Sequence, residues 1–78
     1  MDKIFYCRID GSIEQRFILE QALNLRGFKY VDVCGLQMAF EPNGRFSIFK
    51  KMIDIISKEE GINILEIKHC YDPGIGLF

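Results

Sequence analysis

The chain has 78 residues, 49% hydrophobic and 27% charged, with ten basic against eleven acidic side chains and a net charge of −1. That length holds one domain, residues 1–78, and the apolar content excludes a disordered segment. The near-neutral balance lacks the basic surplus with which duplex-binding proteins neutralise phosphates, and no stretch approaches the ~18 consecutive apolar residues of a membrane span. Neither nucleic acid nor a membrane is therefore an expected partner.

Residues 3–9 (KIFYCRI) are rich in β-branched and aromatic types and stop at Asp10-Gly11, which predicts a strand. Ser12 with Gln15 three residues on is a capping-box signature, opening a helix that runs to about Arg26 with Gly27 as its left-handed terminator. Residues 28–33 (FKYVDV) and 36–41 (LQMAFE) are the second and third strands, separated by a tight turn at Cys34-Gly35. Without that turn, residues 28–41 would form one long strand. Pro42-Asn43-Gly44 breaks the third strand, and Asn43 is the expected N-cap of a second helix ending at Glu60 before Gly61. Residues 62–70 (INILEIKHC) form the fourth strand. Asp72-Pro73-Gly74 then turns the chain into a short tail, residues 73–78.

The order βαββαβ predicts an α+β, ferredoxin-like sandwich: a four-stranded antiparallel sheet with both helices on one face. In the second helix, Ile48, Phe49, Met52, Ile53, Ile55 and Ile56 make an apolar stripe. Lys50, Lys51, Asp54, Ser57 and Lys58 lie opposite as a solvated face, with Lys50–Asp54 and Asp54–Lys58 at i,i+4 spacing. In the first helix, Ile18, Leu19, Ala22 and Leu25 form the expected core stripe, with Leu23 on its flank, while Ile13 and Phe17 project among Arg16, Glu20, Gln21 and Asn24. Strand alternation sends Phe5, Cys7, Ile9, Val31 and Val33 toward the helices, with Leu36, Met38, Phe40, Leu65 and Ile67. The other sheet face is expected to show Tyr6, Tyr30 and Ile64 among Ile4, Arg8, Asp32, Gln37, Ala39, Glu41, Glu66 and Lys68.

The chemistry-bearing residues are few. His69 is the single histidine, and its neighbour Cys70 points to the opposite sheet face. Cys7, Cys34 and Cys70 are an odd number without CxxC spacing, which fits a reducing cytoplasm and no disulfide framework, and they do not converge as zinc ligands must. No metal or cofactor is expected. Phosphate-binding, metalloprotease and hydrolase signatures are absent from the sequence. Acylphosphatases share the fold but use a phosphate-binding arginine, where this chain has Glu41 after Phe40. RNA-recognition domains share it too, but their third-strand aromatic platform is replaced here by Gln37, Ala39 and Glu41. The fold should gather Asn43, Gly44, Arg45, His69 and Asp72 at one end, a loop cluster suited to an anion or small ligand, with backbone N–H groups at the start of a helix.

Residues 36–67 carry a Pro42-x-Gly44 loop, an apolar helix and Gly61-Ile62-Asn63-Ile64 entering a strand. In these features the segment resembles the strand–helix–strand of ACT-type regulatory domains, in permuted order. The resemblance implies a regulatory domain that binds an amino acid or similar small ligand at a dimer interface, and it carries over no ligand residues.

Three functional expectations follow. The first is a non-enzymatic protein-binding module, an adaptor or inhibitor of a larger protein of the kind phages and mobile elements encode, acting alone or as a homodimer. Its contacts would be Phe17, Ile13, Tyr6, Tyr30 and Ile64. The second is an ACT-like sensor of a small molecule. The third is a minor enzyme or thiol carrier using Cys34 or Cys70.

Overall fold

Ser12 starts the first helix as its sequence requires. Its hydroxyl accepts from the Gln15 backbone N–H at 3.1 Å, and the Gln15 side chain accepts from the Ser12 N–H at 3.0 Å. The computed structural model describes residues 3–71, except for the side chains of Asp32, Val33 and Tyr71, and the expected turn at Asp72 and tail 73–78 lie outside the described residues. The elements are β1 (Lys3–Asp10), α1 (Ile13–Leu25), β2 (Tyr30–Cys34), β3 (Gln37–Phe40), α2 (Phe46–Glu60) and β4 (Asn63–Tyr71). The sheet order is β2-β3-β1-β4, antiparallel at every pairing. Each βαβ unit is thus split by a strand of the other, which is the ferredoxin-like arrangement.

The segment 28–41 is a hairpin. Gly35, at φ 61, supplies the positive φ that a primed two-residue turn asks of its first loop position. Leu36 is the second turn residue, so β3 begins one residue later than its composition suggests. The second helix begins later too. Arg45, not Asn43, occupies the N-cap, and its donor-only guanidinium can accept no cap bond, while the Asn43 side chain is turned away to donate to the Gly27 carbonyl at 2.8 Å. At the other end Gly61, φ 68, closes α2 with its N–H on the Ser57 carbonyl.

Both helices cover one face of the sheet. Leu19 and Leu23 of α1 and Phe49, Ile53 and Ile56 of α2 meet Phe5, Cys7, Ile9, Met38 and Phe40. The α1 stripe is rotated from its expected setting: Leu23 replaces Ile18 and Leu25, which are exposed, Leu25 by 86%. Apolar residues surround this helix, so angular position alone does not select a face, and packing decides it.

Two β-bulges displace strand facings. In β4, Arg8 stands opposite Glu66 and Ile9 opposite Ile64, leaving Leu65 as an extra residue. An extra residue inverts the alternation. Ile64 therefore joins Ile67 against the core, and Leu65 is the one exposed, the reverse of the expected facing. In β2, Tyr30 pairs with Phe40 and Asp32 with Ala39, so Val31 is the extra residue and is exposed, not turned to the helices.

Phe49 is fully buried, with its ring 4.9 Å from Phe5, 5.2 Å from Phe28 and 5.6 Å from Phe40. Phe49→Ala should cost about 3–5 kcal/mol and unfold much of the population, as read by chemical denaturation; a loss near 1 kcal/mol would mean the cluster collapses over the gap. Burial also pushes the Cys7 thiol up to about 12. An unfolded thiol ionises near its ordinary value of about 8.5. The stabilising proton is thus retained below that pH, and stability is lost as pH rises toward the folded value. Between about pH 8 and 10 the wild type should lose roughly 2 kcal/mol more than Cys7→Ala. Equal losses in the two proteins would overturn this.

Candidate functional site

On the sheet face away from the helices, Tyr6 of the central strand pairs with Ala39 on one side and Lys68 on the other. Its hydroxyl donates to Gln37 Oε1 at 2.8 Å, and Lys68 Nζ stands 4.9 Å from its ring centroid. Glu66 takes both Arg8 and Lys68 at 3.8 Å, exposed pairs of small energetic weight. Burial, and then the Glu66 carboxylate, hold the Tyr6 phenol above its ordinary value. Tyr6 is only 4% exposed, and Ile4 and Ala39 are buried as well. The three residues expected to share this face are not brought together. Tyr6 anchors a polar lattice, Ile64 packs toward the core, and Tyr30 is half-exposed on an edge strand in register with the core residue Phe40.

The outer side of α1 is different. Ile13 is 54% exposed and Phe17 51%, one turn apart, with Ile18 and Leu25 also at the surface. Arg16, beside them, donates from Nη1 to the Gly35 carbonyl at 3.4 Å and so ties α1 to the hairpin turn, while its buried Nε has no hydrogen-bond partner among the described residues. Tyr30 and Val31 are exposed on β2, the edge strand that follows α1.

The loop cluster forms in part. His69 stacks on Phe46 at 5.6 Å and meets Phe5 edge-on at 4.9 Å, which brings it to the first turn of α2, next to Arg45. Gly44, φ 72, permits the bend before the cap. Asn43 is committed to Gly27, and Asp72 lies outside the described residues. The cluster is thus a Phe46–His69 stack at the first turn of α2, which Arg45 precedes in the chain, with its asparagine turned to a structural task.

A further concavity escaped the sequence. A groove of about 470 Å³ runs between α2 and β4, lined by Ser47, Lys50, Lys51 and Asp54 on the helix and Ile62, Asn63, Ile64 and Ile67 on the strand side. The helix residues were expected to be a solvated face; β4 supplies the opposing wall. The signal that could have found it is the spacing Ile62–Ile64–Ile67, two and then three, which departs from strand alternation at the bulge.

The cysteines lie apart. Cys7 is buried in the core, Cys34 is exposed on the β2 edge, and Cys70 is part-buried on β4 at the other edge. Among the described residues no three His, Cys, Asp or Glu side chains are grouped to hold a metal, and no helix is long and apolar enough to cross a membrane. The chain matches no protein-family model, no curated protein and no solved structure, so its surfaces carry the functional reading.

Proposed function

We propose that this chain is a non-enzymatic protein-binding module, an adaptor or inhibitor that docks on a larger protein through the outer side of α1. The observation that carries the reading is Phe17 half-exposed beside Ile13 on a helix whose buried stripe is already filled by Leu19 and Leu23. Folding does not require these two side chains at the surface, and clustered exposed apolar residues mark interaction sites more often than single ones do. The buried area of an aromatic anchor dominates such contacts. Ile18 is also exposed on the same helix, and Tyr30 and Val31 present further apolar surface on β2. Placement of the reactive groups supports a binding role as well: Cys34 and His69 sit on opposite edge strands, too far apart for a thiol–imidazole pair.

Phe17→Ala should shift the folding free energy by only about 0.5 kcal/mol. The double variant Ile13→Glu/Phe17→Glu, immobilised beside the wild type in lysate of the native host, should fail to retain proteins that the wild type retains. Sedimentation of both forms reads self-association through the same surface. An identical set of retained proteins on folded wild type and variant would remove α1 as the docking surface. A fall of several kcal/mol in Phe17→Ala would place Phe17 in the core.

A further inference from the structure

We propose that the groove between α2 and β4 binds a small amphipathic anion, a carboxylate carried on a short apolar body. Its volume of about 470 Å³ lies within the range of small-molecule sites. The floor is apolar: Ile53 and Ile62 are buried beneath it, and Ile64 and Ile67 are part-exposed along it. That floor exists because of the bulge at Leu65. A regular β4 would send Ile64 to the opposite sheet face; the extra residue turns both Ile64 and Ile67 to the groove side, at the cost of an interrupted ladder with β1.

The rim sets the charge of the occupant. Asp54 lines the groove, but its carboxylate is held by Lys58 Nζ at 3.1 Å, one turn away. Lys50, expected to pair with Asp54, forms no ion pair among the described residues, and neither does Lys51. Two ammonium groups with no ion pair among the described residues therefore belong to the lining of a groove with an isoleucine floor. At its Ser47 end the groove reaches the first turn of α2, the positive end of a helix whose N-cap lacks a side-chain bond. An apolar body removes water from the isoleucines while a carboxylate meets the lysines; a neutral analogue lacks the second interaction and a cationic one is repelled. This site lies at the sheet edge opposite the α1–β2 surface, and it stands whether or not that surface docks a protein.

Amide chemical shifts of the full ¹⁵N-labelled chain, titrated with sodium octanoate, octylammonium chloride and 1-octanol, test the proposal. Octanoate should produce saturable shifts confined to residues 47–57 and 62–67, and octylammonium none there. Lys50→Gln/Lys51→Gln should weaken octanoate by about tenfold, equivalent to ~1.4 kcal/mol, with its unliganded spectrum otherwise unchanged. Ile13→Glu/Phe17→Glu should bind octanoate as the wild type does, so failure of the docking surface and failure of the groove are separate results. Octanol shifting the same residues as strongly as octanoate, undiminished binding in the lysine variant, shifts centred on α1, or no saturation would each overturn it.

Discussion

Phe49 is where the two halves of the molecule meet. Its ring touches Phe5 from β1, Phe28 from the segment ahead of β2, Phe40 from β3 and Phe46 one turn earlier on its own helix, at centroid distances of 4.9 to 6.2 Å. A domain of this size buries only about 60% of its unfolded surface, and the chain has no tryptophan, so a cluster of phenylalanines supplies the volume. The cluster also fixes how α2 is turned. With Phe49, Ile53 and Ile56 committed to the core, helical periodicity puts Lys50 on a flank of α2, with Asp54 and then Lys51 toward its crest, and all three line the groove beside β4. The groove is a consequence of where the aromatic core places that helix.

Much of the fold was legible in the sequence because its punctuation acts locally. The Ser12–Gln15 box, Gly35 in the hairpin and Gly61 after α2 each impose backbone geometry within a few residues, and each stands where its chemistry requires. Element order and sheet class follow from those boundaries. The setting of α1 and the two bulges did not follow, since both depend on packing between distant segments. Helix α1 carries apolar residues around most of its circumference, and only contact with α2 and the sheet selects Leu19 and Leu23 over Ile18 and Leu25. Asn43 shows the same limit on a smaller scale: a good capping residue by type, it is drawn off by the Gly27 carbonyl, sixteen positions away in the chain.

Of the candidate site, Phe17 and Ile13 are exposed as expected because the expected and the observed settings of α1 share Leu19 at the core and keep both residues away from it, whereas the sheet-face group was not legible. One inserted residue is enough to scatter Tyr6, Tyr30 and Ile64, because strand facing has a period of two and every position beyond a bulge changes side. Both bulges lie in edge-strand pairings, β2 with β3 and β4 with β1. An irregular edge is a poor template for another strand, so Val31 and Leu65, each exposed at its bulge, mark edges shaped against sheet extension as well as facings that serve a surface.

The two surfaces differ in the physics they offer. The α1 patch is an apolar convexity whose neighbouring cation, Arg16, is bonded to the hairpin turn, so it favours a partner that brings its own hollow. The α2–β4 groove is a hollow with two lysines that make no ion pair among the described residues, so it favours a ligand that brings charge. Four strands place them three interstrand gaps apart, about 14 Å in the sheet direction. Between them lie β1, Phe49 and the Leu19–Leu23 contact, close-packed at every step. Such a core couples distant sites only if it has two arrangements that one ligand distinguishes. Here any coupling would have to run through a repacking of the Phe5, Phe28, Phe40 and Phe49 rings, the step that close packing opposes.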